Sequence, residues 1–292
     1  MKKIDYSQFK VKGDINLQKT STSFDLGKQK NKIEKHLEKT REDLGKWQEK
    51  LYAYSKYSVL VCLQGMDTSG KDSAIREVFR DFNSRGVVVH SFKVPSPLEL
   101  KHDYLWRHYI ALPARGKFGV FNRTHYENVL ITRVHPEYIL NENLPGVNDI
   151  GDIDDAFWEK RFEQIRNFEK HLAENGTIIF KFFLHISKEE QRERLLRRLD
   201  EQDKNWKFSP GDLKERKLWD EYQNRYQDAF NRTSRPHAPW YVIPADDKDT
   251  TRYLIANILL EELLKYKDIQ EPDMDPELFK NLEDYKDQLK KD

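Results

Sequence analysis

Val59-Leu60-Val61-Cys62-Leu63-Gln64-Gly65-Met66-Asp67-Thr68-Ser69-Gly70-Lys71-Asp72 begins as an unbroken apolar run and ends in a glycine-bounded loop. A short continuous run of this kind is the pattern of a strand buried on both faces, as in the centre of a parallel sheet. Beyond the loop, Ile75, Val78 and Phe79 recur at helical spacing. A strand, a G-x-x-x-x-G-K loop and a helix are the parts of a phosphate cradle. Glycine lets the backbone approach an anion, and loop amides with a helix N-terminus present partial positive charge to it. Gly65, Met66, Thr68, Ser69, Gly70 and Ser73 are the expected cradle, and Lys71 supplies a cation for the phosphoryl group in transit. A plain glycine turn with a surface lysine is the alternative, but it leaves the flanking strand and helix unexplained. Asp72 stands where a Ser or Thr would ordinarily ligate Mg²⁺, and Asp67 lies inside the loop. Two carboxylates beside a polyphosphate call for a divalent cation between them, so Mg²⁺ at Asp67 is expected.

The 292 residues suffice for a sizeable core, and Lys+Arg 51 against Asp+Glu 50 leave a net charge of +1. That balance argues against a global nucleic-acid or membrane field and makes any anion site local. The single Cys62, inside the buried run, excludes an internal disulfide framework and fits a reducing compartment. No stretch reaches membrane-spanning length and the N-terminus has no apolar signal core, so a soluble cytoplasmic protein is expected.

Outward from the loop, strands and helices alternate. Residues 1–25 read as a polar extended arm. Residues 26–54 read as a long helix, with Ile33, Leu37, Leu44, Trp47, Leu51 and Tyr54 on one stripe and Thr40 in its gap. Strands are expected at 86–94, 118–121, 177–186 and 240–244, and helices at 98–111, 152–174 and 248–264. This alternation predicts an α/β fold with a five-stranded parallel sheet flanked by helices. Residues 188–239, between the last two strands, read as a charged helical lid over the site, or as a solvated hairpin. The domain built on this loop is expected to span 26–266, followed by a polar tail over 267–292.

Between 93 and 135 seven Lys and Arg residues face three acids: Lys93, Lys101, Arg107, Arg115, Lys117, Arg123 and Arg133 against Glu99, Asp103 and Glu127. Arg123 directly follows a strand and so sits at its carboxyl end, where open α/β sheets bind ligands. Its rigid fork suits phosphate oxygens, and an ion pair with Glu127 is the structural alternative. His102, His108, His125 and His135 match no zinc spacing, and no nucleophile elbow occurs. A loop, a lysine, a divalent cation and arginines on either side point to phosphoryl transfer. An ATP-dependent nucleoside or nucleoside monophosphate kinase, a polyphosphate-using enzyme and a non-catalytic binding scaffold all remain open at this point.

Several further motifs resemble the polyphosphate kinase 2 family: Ser91-Phe92-Lys93-Val94-Pro95, His102-Asp103-Tyr104-Leu105-Trp106-Arg107, Phe121-Asn122-Arg123-Thr124-His125-Tyr126-Glu127, Arg133-Val134-His135-Pro136-Glu137, Asn205-Trp206-Lys207-Phe208-Ser209 and Pro244-Ala245-Asp246-Asp247-Lys248. With the loop, they run in order over nearly all of 26–266. The resemblance implies a thymidylate kinase-like P-loop fold, Mg²⁺, and transfer between inorganic polyphosphate and adenine or guanine nucleotides. It makes Asp67, Lys71 and Arg123 catalytic, Arg133 a phosphate ligand, Glu127 and Glu137 substrate contacts, and Arg194, Arg198 and Lys207 lid cations. Members confined to nucleoside diphosphates carry Asp at the position of Asn122. Asn there resembles the branch that accepts AMP as well as ADP. Homodimers or homotetramers are usual in that family.

Overall fold

Every residue of β1, Ser58–Gln64, is buried. The reason is its place in the sheet. Parallel pairing with β3 (Phe118–Asn122) aligns Val59 with Phe118, and parallel pairing with β4 (Thr177–His185) aligns Val59 with Ile178. With β2 (Val87–Ser91) and β5 (Trp240–Pro244) the order is β2-β3-β1-β4-β5, parallel throughout. A computed structural model describes residues 4–27 and 29–291, apart from the side chains of Lys204 and Lys207.

Alternate residues of β1 serve the two faces. Val59, Val61 and Leu63 join α1 (Lys30–Tyr54), α2 (Lys71–Val78) and α10 (Lys248–Leu263) in the main core. Leu60 and Cys62 pack with Phe168 and Leu172 of α6 (Asp155–Glu174) on the other side. The expected α/β fold, with five parallel strands covered by helices on both faces, is the one observed. Among the described residues no helix is long and apolar enough to cross a membrane.

Four regions differ from the sequence reading. Residues 4–25 form an arm that is docked and partly apolar rather than polar throughout. Phe9, Val11 and Leu17 are buried, Val11 N–H donates to the Trp240 carbonyl at 2.9 Å, and Lys10 bridges Tyr241 in antiparallel fashion. The arm therefore covers the edge of β5, which otherwise would present unpaired backbone groups. The long helix starts at Lys30 rather than 26. Residues 98–111 do not form one helix but a 3-10 turn, Glu99–Lys101, and a single turn α3, Trp106–Tyr109. The Asp103 carboxylate accepts from the Leu105 amide at 2.9 Å and restarts the chain between them.

The fourth difference concerns the lid. After β4 come α7 (Lys188–Asp200), a 3-10 segment Gln202–Lys207, α8 (Pro210–Lys217) and α9 (Trp219–Thr233). Trp219, Tyr222, Tyr226 and Phe230 of α9 are buried in the main core, so α9 is part of the body. Only the part from α7 to α8 overhangs the sheet's carboxyl end. Single turns α4 (Ile131–Val134) and α5 (Glu137–Leu140) follow β3, and exposed helices α11 (Pro276–Lys280) and α12 (Leu282–Lys291) close the chain.

Candidate active site

The loop after β1 is shaped by its glycines. A Cβ on Gly65 would lie 3.0 Å from the Leu184 carbonyl oxygen and 2.6 Å from Ser69 Oγ, too close for any other residue. Gly70, the N-cap of α2, has φ +104°, a conformation that side chains disfavour. Thr68 accepts the left-handed region at φ +64° without glycine's freedom. Its backbone is held from outside, as described below.

Lys71 points back into the loop. Its Nζ donates to the Gly65 carbonyl at 2.6 Å and the Met66 carbonyl at 3.2 Å. Burial, and then the charge of Arg123, bring its pKa down to about 8. Arg123 leaves β3 at φ +60° and donates from Nη2 to Asp67 Oδ1 at 2.8 Å, with Glu127 Oε2 3.5 Å from Nη1. Glu127 first, and Asp67 against the cost of burial, push the Arg123 pKa up and keep it charged. Asn122, the last residue of β3, donates to Asp72 Oδ1 at 2.6 Å and lies 3.4 Å from Ser91 Oγ.

These groups line a cleft of about 670 Å³ at the carboxyl ends of β1 and β3. Such a volume suits a nucleotide. Asp67, Thr68, Gly70, Lys71, Asp72, Ser73, Asn122, Arg123, Arg194 and Arg198 of the expected set share it. So do Arg76, Lys93, Arg197, Asp212 and Lys248. Met66 and Ser69 are buried behind the loop, and Glu127 buttresses Arg123. A hollow of about 200 Å³ near Thr177 and Tyr241 lies at the opposite end of β4.

Three expectations need correction. Arg133 is not in the cleft. Its guanidinium pairs with Asp228 of α9 and stacks over Trp158 and Phe162, because α9 belongs to the body and brings that carboxylate with it. Glu137 is half exposed, 3.5 Å from His135, and is also absent from the cleft lining. Arg194 borders the cleft, yet is 5% exposed and wholly engaged with protein oxygens. The Lys207 side chain lies outside the described residues.

Some supporting residues escaped the sequence reading. Asp212 on α8 meets Arg198 at 3.3 Å, and burial together with Asp67 raises its pKa. It sits in a charged run where nothing in the order of residues sets it apart. Beneath Arg123, a buried charge network fixes the turn that follows β3. Lys181 Nζ donates to Glu169 Oε2 at 2.6 Å, to Tyr126 Oη at 2.7 Å and to the Thr233 carbonyl at 3.0 Å. Tyr126 Oη and His125 Nε2 lie 2.8 and 3.1 Å from Glu169 Oε1. Burial pushes the Glu169 carboxyl up, but Lys181 and His125 outweigh it and hold it below its usual value. A lysine inside Ile178-Ile179-Phe180-Lys181-Phe182-Phe183 was the available signal, since charge in a twice-covered strand demands a partner.

Among the described residues no cluster of three or more His, Cys, Asp and Glu is poised for a metal. The fit to a hard cation rests instead on Asp67, whose carboxylate faces the cleft beside Asp72. One or two carboxylates completed by substrate phosphates is how Mg²⁺ is held in kinase sites.

The family model for Polyphosphate kinase 2 (PPK2) matches residues 27–272. The ADP-polyphosphate phosphotransferase of Rhodopseudomonas palustris is 44% identical over 292 residues, covering 99% of this chain and 100% of that protein. The AMP/ADP-polyphosphate phosphotransferase of Meiothermus ruber is 49% identical over 220 residues, 75% of this chain and 77% of that one. Among solved structures, polyphosphate kinase 2 from Arthrobacter aurescens TC1 superposes with a TM-score of 0.84 at 36% identity, covering 94% of both chains.

Proposed function

The chain belongs to the polyphosphate kinase 2 family, and we propose from that premise that its cleft moves the terminal phosphoryl group of inorganic polyphosphate onto AMP and onto ADP. The observation that carries this reading is the convergence of Lys71, Arg123, Arg198, Lys93 and Lys248 on one cleft behind a glycine-bounded loop. A donor without a base or sugar offers only phosphate oxygens to recognise, and a track of cations is the matching surface.

A phosphate oxygen of the acceptor attacks the terminal phosphorus. The anhydride bond to the rest of the chain breaks, and the shortened polyphosphate leaves with the bridging oxygen. An acceptor phosphate is already largely ionised at neutral pH, its second pKa being about 6. The cleft therefore has no hydroxyl to deprotonate and works by alignment and charge. Lys71 and the loop amides hold the donor end, and Arg123, kept charged by Glu127 and Asp67, faces the moving group. Asp67, with Asp72 nearby, would hold Mg²⁺, which when bound would neutralise phosphate charge; this ion and a cytoplasmic setting belong to the proposal.

Asn122 supports the wider acceptor range. Its amide satisfies Asp72 at 2.6 Å. An Asp at that position would set two carboxylates against each other and demand a proton or cation between them. The relative named for AMP/ADP use supports the same reading. Supplying polyphosphate, Mg²⁺ and AMP without ATP is expected to yield ADP first and ATP after it. Failure with AMP but turnover with ADP confines the enzyme to the second step, and failure with both removes the proposal. Guanine nucleotides are tested in the same assay. Assembly into a homodimer or homotetramer is part of the proposal, and light scattering of the intact protein measures it.

The lowered pKa of Lys71 sets the pH dependence. Its ammonium loses its proton in the free enzyme as pH rises through about 8. Because kcat/KM reports free-enzyme ionisations, its value for polyphosphate is expected to fall above about pH 8. A profile flat between about pH 7 and about pH 9.5 contradicts a role for the Lys71 charge.

A further inference from the structure

An arginine has five N–H donors in a fixed fork. In Arg194 all of them are accounted for: Nε donates to Glu190 Oε1 at 2.7 Å, Nη1 to the carbonyls of Thr68 and Ser69 at 3.0 Å each, and Nη2 to those of Ala245 and Asp246 at 2.8 and 2.9 Å. One turn earlier on α7, Gln191 Nε2 donates to the Asp67 carbonyl at 3.1 Å, and Arg216 of α8 donates to Gln191 Oε1 at 2.6 Å. Three successive loop carbonyls, Asp67, Thr68 and Ser69, are thus tied to one helix.

The consequence follows from the peptide bond. In a planar trans peptide the carbonyl of one residue and the N–H of the next point in opposite directions. Tying the carbonyls of Asp67 and Ser69 to α7 therefore turns the N–H groups of Thr68 and Gly70 the other way, and both residues line the cleft. The Ser69 N–H instead closes the loop on the Met66 carbonyl at 3.1 Å. The same ties hold Thr68 at φ +64°, where a residue other than glycine needs outside support. Arg198, one turn further along α7, differs. It is 25% exposed, lines the cleft and pairs with a side-chain carboxylate, Asp212, at 3.3 Å.

We infer that Arg194 is a positioning residue: its guanidinium fixes the phosphate loop in the shape whose amides receive the donor, and it does not itself touch phosphate. This rests on the reading of the loop as a polyphosphate site, but part of its test needs no substrate. In Arg194→Gln and, separately, Gln191→Ala, hydrogen exchange of the peptide spanning residues 65–71 is expected to quicken at least tenfold while β1 and β4 keep wild-type protection. Unchanged exchange in that peptide overturns the inference whether or not polyphosphate is the substrate. In turnover, both variants are expected to lose kcat by tenfold or more, with Arg194→Lys recovering part of it. The slope of log KM for polyphosphate against log salt should stay as in wild type, whereas Arg198→Ala should flatten it, since each phosphate-contacting cation contributes to that slope. A slope flattened by Arg194→Gln as much as by Arg198→Ala, with kcat intact, makes Arg194 a phosphate ligand and overturns the inference. Should Arg194→Gln not fold, Gln191→Ala carries both measurements. A wild-type enzyme inert toward polyphosphate faults the functional reading alone, and hydrogen exchange still decides the role of Arg194.

Discussion

Replacing Lys71 with alanine is expected to lower kcat by about 10²–10³-fold, the loss that follows removal of one preorganised donor from a charged transition state. The ammonium is anchored on the Gly65 and Met66 carbonyls and is buried. It is thus placed before substrate arrives and costs little reorganisation. A unit-charge pair about 4 Å apart at an effective dielectric near 20 contributes about 4 kcal/mol, or roughly three decades of rate. Arg123 is held at Asp67, 2.8 Å away, so it does not take the place of the lost cation. Steady-state rates with polyphosphate and ADP, alongside circular dichroism to show a folded chain, measure the effect. A folded variant within threefold of wild type would mean that the Lys71 ammonium takes no part in the transfer.

Lys181→Met is expected to destabilise the protein by about 3–5 kcal/mol, the cost of leaving a buried carboxylate without its partner. Both Lys181 and Glu169 are fully buried, and the ammonium makes three hydrogen bonds to Glu169, Tyr126 and Thr233. The double variant Lys181→Met with Glu169→Leu should recover a large part of the loss, because the orphaned charge goes too. Thermal unfolding is the measure, with the single variant falling by roughly 6–20 °C at about 2–4 °C per kcal/mol for a chain of this size. A single variant within about 1 kcal/mol of wild type contradicts an ionised pair and points to a neutral network. Because Tyr126 and His125 belong both to this network and to the turn following Arg123, the recovered double variant also reports on activity. Stability regained with kcat still depressed identifies the network as what aims Arg123.

Periodicity and local chemistry show plainly in the sequence, and both concern neighbours along the chain. The run Val59–Leu63 predicts its central place because a strand paired on both sides and covered on both faces is built mainly of apolar residues, a polar one there requiring a buried partner. Gly65, Gly70 and Lys71 predict the cradle because the anion contacts are made by one short segment. The docking of residues 4–25 is invisible by that logic: Phe9, Val11 and Leu17 follow no period, and what holds them are the edge of β5 and side chains of α9. The reading of α9 as lid missed its own signal. Trp219, Tyr222, Tyr226 and Phe230 follow helical spacing, which marks a buried stripe. Arg133, Arg194 and Arg198 show the deeper limit. A sequence gives each the same charge, whereas function depends on how many donors remain after the fold has taken its share. For Arg133 and Arg194 that share goes to Asp228 and to loop carbonyls, distant in the chain or absent from side-chain patterns.

Phosphorus is proposed to pass from polyphosphate to a nucleotide in this one cleft. Incubating the enzyme with ³²P-labelled polyphosphate, Mg²⁺ and unlabelled AMP, without ATP, tests it most directly. The label is expected first in the β-phosphate of ADP and then in both the β- and γ-phosphates of ATP, appearing about 10²–10³-fold more slowly when Lys71→Ala replaces the wild type. Label retained in polyphosphate by an enzyme that phosphorylates the same nucleotide from unlabelled ATP would contradict the account.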